Sequence, residues 1–465
     1  MQIGRKDLLW NYASTSMRIL SGIVVLPITL RMLSSEEMGI WSIFLSLITI
    51  TSLLDFGFSN SFSRNITYVY SGVKELKAKG YAVCETSEVD YGLLKNLLSA
   101  MKRYYGIAAL VFLIVFLASS PFYMSSVLAQ YSGDKQAIWI AWYIFGAVLA
   151  YDLYTFYYNG TLIGRGLVKQ NMQITVFSQA IRIVATLIFL FAGLGIISLM
   201  LGLLIGTIVN RTLMHYVFYD KETKKNLAPF KSNSSWQTVK TLAPNSLKLG
   251  FVFLGIFLRS KAIVLIAPFF LSLSEIARYG ISKQIVELIV SLGMAWFLTF
   301  YPKLSQYSIQ EKQSDKKRFY IKGTTMLLLT FVILGSLFIL FGNHILILIE
   351  SRTLLLSGSY LFLLLFFTFL EQNQVIAQHI ILARNEVVFF KANILSGVVS
   401  ILLLLLMFTF TSLGVLSLIL CTGLAMSVYL NWKLPYVVAK ELHLKFKDYI
   451  WVIKEFWREN KKIFH

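Results

Sequence analysis

The chain has 465 residues, of which 57% are hydrophobic and only 14% are charged, and its formal net charge is +20. A soluble globular protein carries about 25% charged residues, so this composition excludes an ordinary soluble protein and favours one that crosses a membrane several times. Basicity can also indicate nucleic-acid binding, but no nucleic-acid-binding motif accompanies it here. The excess of lysine and arginine that membrane proteins carry in their cytoplasmic loops explains the basicity better.

Apolar stretches of about 20 residues, the length of a helix that crosses a bilayer, recur along the whole chain. They predict an all-α integral membrane protein with about twelve transmembrane helices. The boundaries are least marked at Gly193–Leu194–Gly195 and at Thr411–Ser412–Leu413–Gly414, where one long apolar run must fold into a tight hairpin. In chain order the predicted spans are 8–31, 37–62, 104–128, 137–162, 171–193, 195–218, 243–271, 278–301, 321–342, 354–381, 390–411 and 413–436.

Lysine and arginine fall almost entirely on one set of the predicted loops. The opposite loops contain only Arg31, Lys135, Arg278 and Arg352. Because cytoplasmic loops carry the excess of basic residues, this asymmetry predicts that both termini lie in the cytoplasm.

Two patterns of polar residues occur once in each half of the chain with the same spacing. The first is Arg18, Pro27, Leu30, Gly39 and Ile40, repeated as Arg259, Pro268, Leu271, Gly280 and Ile281. The second is Asp152 followed by Arg165, repeated as Glu371 followed by Arg384. Six predicted helices separate the equivalents, so we expect a parallel repeat of two six-helix lobes.

The repeat predicts four segments along the chain. Residues 1–220 form the first lobe, 221–242 a cytoplasmic linker and 243–440 the second lobe. The segment 441–465 is basic with interleaved aromatic residues, which is typical of an amphipathic helix on the anionic inner surface of a membrane.

Several basic residues lie inside the predicted spans, where an arginine costs about 2.5 to 3.5 kcal/mol and is rarely tolerated without a cavity or a partner. Arginine binds phosphate oxygens through two hydrogen bonds and stays charged, so a cluster of such residues predicts an anionic, phosphate-bearing substrate. Alternatives exist: Arg18 could extend to the membrane surface, Arg182 could pair with Asp152, and Lys283 could pair with Glu287. The candidate substrate-binding residues are Arg18, Arg182, Arg259, Lys261 and Lys283.

Acidic residues and a histidine in predicted spans could bind a coupling ion or proton. The candidates are Asp55, Asp152, Glu287, Glu371 and His379, although a lone histidine is more typical of a polar helix face than of a proton relay. We expect no metal site and no cofactor beyond a coupling proton or Na⁺. The chain has no nucleotide-binding phosphate loop, no His-Glu-x-x-His zinc motif and no nucleophile elbow, so we do not expect an enzyme.

The first two predicted helices carry a family resemblance. In chain order, they contain Asn11–Tyr12–Ala13, Pro27, Gly39–Ile40–Trp41 and Leu53–Leu54–Asp55–Phe56–Gly57–Phe58–Ser59–Asn60–Ser61, and Arg64 follows. This part resembles the polysaccharide transporters of the MOP exporter superfamily, and more narrowly the Wzx-type flippases of O-antigen and capsule repeat units. The run from Leu53 to Ser61 is its most specific part.

The resemblance implies two lobes forming a V around a central cationic cavity that opens to each side in turn. It implies transport of an oligosaccharide linked through pyrophosphate to undecaprenol across the bacterial inner membrane, driven by an ion or proton gradient. Expected partners are this lipid-linked substrate, membrane lipids and, in the same pathway, a polysaccharide polymerase and a chain-length regulator. We expect no nucleic acid and a monomer.

Two other functions stay open at this stage. A multidrug and toxin exporter of the same superfamily would move organic cations, for which a basic cavity is unfavourable. A membrane polymerase or ligase of polysaccharides would more plausibly have a long external loop with catalytic groups, whereas the predicted external loops are short.

Overall fold

The computed structural model describes residues 5–76, 88–232, 235–309, 312–383, 389–445 and 447–449. Within these ranges, Arg18 and some other residues of the first helix have a described backbone but no described side chain. Arg384 and the predicted basic tail beyond residue 449 lie outside the described residues. All regular secondary structure in the described ranges is helical, so the predicted all-α fold is confirmed.

By packing, the chain divides into two compact units, Met1–Phe257 and Leu258–His465. The described helices of the first unit are α1 (Arg5–Met32), α2 (Ser35–Ile48), α3 (Ile50–Leu54), α4 (Phe58–Tyr70), α5 (Tyr91–Leu128), α6 (Lys135–Tyr154), α7 (Tyr157–Arg165), α8 (Val168–Phe191), α9 (Ile197–Phe218), α10 (Lys221–Leu227) and α11 (Ser235–Phe257).

The second unit begins with a π-helical turn, Leu258–Ala262, and a 3₁₀ turn, Ala267–Phe269, on either side of a short α-helix. Its described α-helices are α12 (Ile263–Ile266), α13 (Leu273–Ile309), α14 (Gln313–Leu348), α15 (Gly358–Leu382), α16 (Phe390–Phe410), α17 (Leu416–Ser427) and α18 (Leu430–Glu441).

Among the described residues, eleven helical segments are long and apolar enough to cross a membrane. The apolar part of α1, Leu20–Met32, is shorter. Together they account for the predicted set of about twelve helices, and the chain is a multi-pass membrane protein.

The division between the units falls inside the seventh predicted span rather than in the predicted linker 221–242. The reason is that α11 packs on α3, α4 and α5 of the first unit. The predicted linker itself contains α10 and the first residues of α11. The lobe limits at residues 220 and 243 stay a prediction.

Each unit has a capping box at the start of a long helix. In the first unit, the Ser34 backbone N–H donates to Glu37 Oε2 (2.8 Å) and the Glu37 N–H donates to Ser34 Oγ (3.1 Å). In the second unit, Ser272 and Glu275 make the same two bonds at 3.0 and 3.3 Å. A capping box satisfies two backbone donors that the first helical turn leaves free, so it fixes where α2 and α13 begin.

The same glutamates lie beside the tight hairpins that the sequence predicts. Gly195 and Gly414, each just before the second helix of its hairpin, have φ angles of 52° and 54°, a conformation that favours glycine. A Cβ at Gly195 would lie 3.0 Å from Glu37 Oε1, and one at Gly414 would lie 3.7 Å from Glu275 Oε1. The two units therefore repeat one local arrangement, as the predicted duplication requires.

An aromatic core packs α2, α5 and α6 together in the first unit. Phe44 stacks on Phe145 with ring centroids 4.8 Å apart, and Trp142 stacks on Phe116 at 4.5 Å. The Trp142 Nε1–H donates to Ser120 Oγ (2.7 Å), which satisfies the buried indole. This packing fixes α2 and α6, which contribute to the cavity described next.

Candidate functional site

A polar cavity of about 440 Å³ lies within the first unit, between α2, α6, α7, α8 and α9. One wall is aliphatic, made by Ile48, Val148, Leu149, Met172 and Leu203. The remaining wall carries side chains that form hydrogen bonds or bear charge. They are Asp152, Asn159, Asn171, Thr175, Ser178, Gln179, Arg182, Thr207, Asn210 and Arg211.

Asp152 and Arg211 form an ion pair in this cavity. Asp152 Oδ1 accepts from Arg211 Nη2 at 2.6 Å and from Arg211 Nε at 3.2 Å. The Arg211 side chain is only 6% exposed and that of Asp152 is 26% exposed. The alternative in which Asp152 pairs with Arg182 is not what the structure has, because α9 brings Arg211 to the carboxylate.

Arg182 lies on α8 and lines the cavity, but no described side chain pairs with it. Its aliphatic stem packs against α9 at Gly206, where a Cβ would lie 2.7 Å from Arg182 Cβ. Glycine at this point lets the two helices approach closely. Arg182 thus lines a polar cavity, and its guanidinium has no ion-pair partner among the described side chains.

Two amides beside Arg182 complete the polar wall. Asn210 Nδ2 donates to Ser178 Oγ (2.9 Å), which links α9 to α8. Asn171 is only 4% exposed, and its Oδ1 has no hydrogen-bond partner among the described residues. A buried acceptor without a partner is costly, so Asn171 marks a place where a donor from a bound molecule would be stabilising.

Arg259, in the second unit, is buried among its neighbours, and its Nε has no hydrogen-bond partner among the described residues. It is 2% exposed and lies in the π-helical turn. Its Nη1 donates to Asn393 Oδ1 (2.7 Å), and its Nε lies 3.7 Å from Glu371 Oε1. The Arg259 carbonyl accepts from Thr422 Oγ1 (2.8 Å), so both side chain and backbone are held in place.

The two lysines predicted as ligands in this unit also have partners. Lys261 Nζ lies 3.3 Å from Glu287 Oε1, and Lys283 Nζ donates to Thr368 Oγ1 at 3.4 Å. The alternative in which Lys283 pairs with Glu287 is not what the structure has, because Lys261 lies beside that carboxylate. The space beside Arg259, Lys283 and Glu371 is about 30 Å³, which is enough for a water molecule but not for a sugar.

Asp55 serves a local role in the first unit. The chain passes through φ angles of 48° at Phe56 and 73° at Gly57, and Asp55 Oδ1 accepts from the Ser59 N–H (2.9 Å) at the start of α4. The Tyr105 hydroxyl also donates to Asp55 Oδ1. The run that carries the family resemblance thus forms a left-handed turn with a carboxylate cap.

His379 lies on α15 among aromatic rings. Its ring centroid is 4.8 Å from that of Tyr301 and 5.6 Å from that of Phe297. His379 Nδ1 and both amide atoms of the fully buried Gln374 have no hydrogen-bond partner among the described residues. The polar face predicted for this helix is therefore turned into the second unit.

Arg165, expected only as a basic residue of a loop, ties α7 to the end of α9. It donates to the Phe218 carbonyl (3.0 Å) and to Asp220 Oδ2 (2.8 Å). Burial acts to raise the pKa of the Asp220 carboxyl, but hydrogen bonds from Thr223 and Arg165 outweigh it, so this pKa lies below its usual value.

The predicted basic residues thus fall into distinct groups. Arg259, Lys261 and Lys283 have partners in the second unit, and the Arg18 side chain is not described. Arg182 lines the cavity of the first unit and has no partner among the described side chains. Arg211 was not predicted as a site residue, although its place inside the sixth predicted span was a signal that could have identified it. Among the described residues, the cavity around Arg182 is the candidate site for an anion.

The whole chain is similar in fold to solved membrane transporters. It aligns with lipid II flippase MurJ in an inward closed conformation with a TM-score of 0.63 and 15% identity, covering 96% of this chain and 89% of that one. It aligns with an inward-facing multidrug resistance MATE family transporter of the MOP superfamily with a TM-score of 0.61 and 12% identity, covering 98% and 97%. A MATE structure in complex with MaD3S gives a TM-score of 0.52 at 13% identity, covering 94% and 95%.

No family model matches the chain, and no curated protein matches it. At 12 to 15% identity, the similarity to solved structures concerns the fold. The chain has the helical membrane fold that MurJ and the MATE transporters share.

Proposed function

We propose that this protein is a flippase that translocates undecaprenyl-pyrophosphate-linked oligosaccharide repeat units across the bacterial cytoplasmic membrane for O-antigen or capsule synthesis. Transport proceeds by alternating access and is coupled to a proton or Na⁺ gradient. The observation that carries this proposal is the open guanidinium of Arg182 in a cavity lined by amides and hydroxyls.

The cavity suits an anionic glycan for two physical reasons. Arginine offers five donors in a planar fork that match carboxylate and phosphate oxygens, and in a site shielded from water such bonds are strong. Asn, Gln, Ser and Thr side chains both donate and accept, as sugar hydroxyls do. An apolar or acidic cavity would lack both features.

The flippase acts as a monomer in this proposal, with both termini in the cytoplasm. Its partners are the lipid-linked oligosaccharide and membrane lipids, and a polysaccharide polymerase with its chain-length regulator would receive the product. Neither a nucleic acid nor a resident metal takes part.

Export of organic cations is the second candidate, because the fold is as similar to a MATE transporter as to MurJ. The charged residues that the structure describes favour cation export less than they favour a flippase. Asp152 and Glu371 lie against Arg211 and Arg259, so each carboxylate is balanced by a guanidinium rather than open to a cation. Arg182 would repel a cation in the larger cavity. A polymerase or ligase has no particular observation in its favour.

The test is translocation by the purified protein in lipid vesicles. A fluorescent polyprenyl-pyrophosphate oligosaccharide is placed in both leaflets, and a membrane-impermeant reductant measures how fast the inner pool becomes accessible. Loss of a charge-assisted hydrogen bond costs about 1.5 to 3 kcal/mol, so Arg182→Ala should slow translocation about tenfold or more. Arg182→Lys should keep part of the rate, and the exposed Arg352→Ala is the matched control that should keep all of it.

Two results would contradict the proposal. One is a wild-type protein that moves no lipid-linked oligosaccharide but exports an organic cation such as ethidium, which would establish the second candidate. The other is an Arg182→Ala variant that translocates as fast as the wild type.

A further inference from the structure

The exposed side chains at the end of α17 and along α18 change in chemistry from one end to the other. Leu424 and Val428 are exposed aliphatic residues, and Trp432, Tyr436 and Lys440 follow, all exposed and four residues apart. Residues at this spacing share one face of a helix. Aliphatic side chains suit the hydrocarbon of a bilayer, aromatic rings its headgroup level and lysines the charged surface, so this order indicates a face in contact with lipid.

Lys433 lies beside both aromatic rings of this face. Its Nζ is 5.7 Å from the centroid of the Trp432 ring and 5.7 Å from that of the Tyr436 ring. A cation within about 6 Å of an aromatic ring is attracted to its face. The indole is itself held, because its Nε1–H donates to the Val428 carbonyl (3.0 Å). The Lys433 ammonium is therefore placed at the depth where aromatic side chains meet lipid headgroups.

The charge of α18 is positive and is not cancelled by described neighbours. The helix contains Lys433, Lys440 and a single acid, Glu441, whose Oε2 is buried. The ion pairs that the structure describes in the second unit involve other residues. Lys433 and Lys440 are seven residues apart, which is two helical turns or about 10 Å along one side of the helix. Both can therefore meet negative charge on the same membrane surface.

The corresponding helix of the first unit lacks this arrangement. α9 follows the matching hairpin, and its exposed side chains at the same spacing are Ile208, Thr212 and Tyr216. It contains no lysine, and its Arg211 is buried against Asp152. A lysine beside two exposed aromatic rings is thus particular to α18 and does not follow from the duplication.

We infer that this end of α18 binds the headgroup of an anionic phospholipid, in the leaflet that the distribution of basic residues predicts to be cytoplasmic. The lipid phosphate accepts from Lys433 beside Trp432 and Tyr436, and the acyl chains follow the aliphatic face toward Val428. Lys440 adds attraction to the net negative charge of the leaflet. A zwitterionic lipid has the same phosphate, but its own cationic group opposes these lysines, so the site discriminates by net charge.

Quenching of Trp432 fluorescence by brominated lipids tests this inference on the full-length protein in vesicles. The vesicles contain either brominated phosphatidylglycerol or brominated phosphatidylcholine, at equal mole fraction, in unbrominated phosphatidylcholine. The chain has nine tryptophans, so the difference between the wild type and Trp432→Phe isolates the signal of this one. Each lysine near an anionic surface favours binding about fivefold, so we expect phosphatidylglycerol to be preferred at least about tenfold.

Variants of the two lysines show whether they cause the preference. Lys433→Gln should lower it about fivefold, and Lys433→Gln/Lys440→Gln should leave less than about a twofold preference. Quenching by brominated phosphatidylcholine should stay as in the wild type, because the aliphatic and aromatic face is unchanged. Lys433→Arg should keep the preference. Lys224→Gln, which removes an exposed lysine of α10 in the first unit, is the matched control and should also keep it.

Salt gives a test that needs no variant and so does not depend on folding of a mutant. In about 1 M NaCl the screening length falls to about 3 Å, so the wild type should lose most of its preference for phosphatidylglycerol. A preference that is unchanged in high salt would contradict recognition by charge.

Four further results would overturn the inference. They are equal quenching by the two brominated lipids in the wild type, a preference that persists in the double variant, and an equal loss in Lys224→Gln, which would indicate the charge of the whole protein rather than a site. The fourth is displacement of brominated phosphatidylglycerol by undecaprenyl phosphate at a much lower mole fraction, which would assign the site to the transported lipid. Inorganic phosphate should displace nothing, and displacement by it would identify a site for a free anion instead.

Discussion

Neighbouring residues, more than residue type, determine what each intramembrane arginine does. Arg211 is satisfied by a carboxylate, Arg259 by an amide and a more distant carboxylate, and Arg182 by no described side chain. A guanidinium that is already paired has little to offer a substrate, because a new bond must replace an existing one. This ranks Arg182 above Arg259 as a substrate ligand, although the sequence repeat alone draws attention to Arg259.

Breaking the pair of Asp152 with Arg211 should destabilise the protein. Asp152→Asn leaves the 6%-exposed Arg211 side chain with an unbalanced charge, and removing one partner of a buried pair costs about 3 to 5 kcal/mol. Because Asp152 is 26% exposed, we expect the lower end, about 3 kcal/mol, seen as a lower melting temperature in detergent. The double variant Asp152→Asn/Arg211→Gln should recover part of the loss.

The exposed Glu88→Gln is the control for this comparison, since it also removes one carboxylate. A melting temperature of Asp152→Asn equal to that of the control would mean that the pair does not stabilise the fold. A double variant no more stable than Asp152→Asn would mean that the unbalanced charge of Arg211 is not the cause of the loss.

The sequence identified Arg182 and Asp152 of the site, but neither its amides and hydroxyls nor which charges pair. Arg182 and Asp152 stood out because a charge in an apolar stretch is costly wherever the helix packs. Which charge meets which depends on the rotation and separation of helices that are far apart in sequence, such as α6 and α9. A single sequence carries no measure of either, so it did not reveal that Arg211 pairs with Asp152 or that Lys261 lies beside Glu287.

Among the helices, the contact of α8 with α9 determines the shape of the cavity. Gly202 and Gly206 lie one turn apart on α9, and both face α8. Small residues spaced in this way let two helix backbones approach closely inside a membrane. The close approach places Arg182 and Ser178 of α8 beside Asn210 of α9, so the packing of this pair builds the polar wall.

A methyl group at Gly206 should force these helices apart. Its Cβ would lie 2.7 Å from Arg182 Cβ and 3.4 Å from the Ser178 carbonyl, and neither atom belongs to a flexible side-chain end. Overpacking of this kind costs about 1 to 3 kcal/mol, so Gly206→Ala should lower the melting temperature and reduce binding at Arg182. Gly106→Ala on α5 is the matched control, because its Cβ would be 3.8 Å from the nearest atom outside its own helix.

The two glycine variants should have different effects on the melting temperature. Alanine favours a helix over glycine by about 1 kcal/mol, so Gly106→Ala should leave the melting temperature unchanged or raise it. If Gly206→Ala were as stable as Gly106→Ala and bound anions as the wild type does, close packing at Gly206 would not be what positions Arg182.

Helices were easier to predict than the breaks inside them. Apolar windows identified the membrane-spanning helices because every backbone group in a bilayer must be satisfied within a helix, whatever its neighbours are. The predicted span 37–62 is nevertheless interrupted at Asp55–Phe56–Gly57, where the backbone turns left-handed and a carboxylate caps α4. The π-helical turn at Arg259 was not predicted either, because it accompanies contacts with Asn393 and Thr422 far along the chain.

At the scale of the whole chain, the distribution of basic residues still predicts an orientation that the helices alone do not. Each unit carries the same hairpin and capping-box arrangement, so duplication accounts for the architecture but leaves both orientations equally compatible with it. Lysine and arginine are retained on the cytoplasmic side during insertion, and this preference acts on short loops close to the helix ends.

Labelling of single cysteines can establish the orientation. In a background with Cys84→Ser and Cys421→Ser, a cysteine is placed either at Lys135, the first residue of α6, or at Lys224 on α10, both of which are exposed. Because the predicted cytoplasmic loops carry nearly all the basic residues, a membrane-impermeant maleimide added to intact spheroplasts should label Lys135→Cys but not Lys224→Cys. Both should react once the membrane is permeabilised, which controls for accessibility. The reverse pattern would place both termini outside and would require the flippase to receive its lipid-linked substrate from the opposite face to the one proposed.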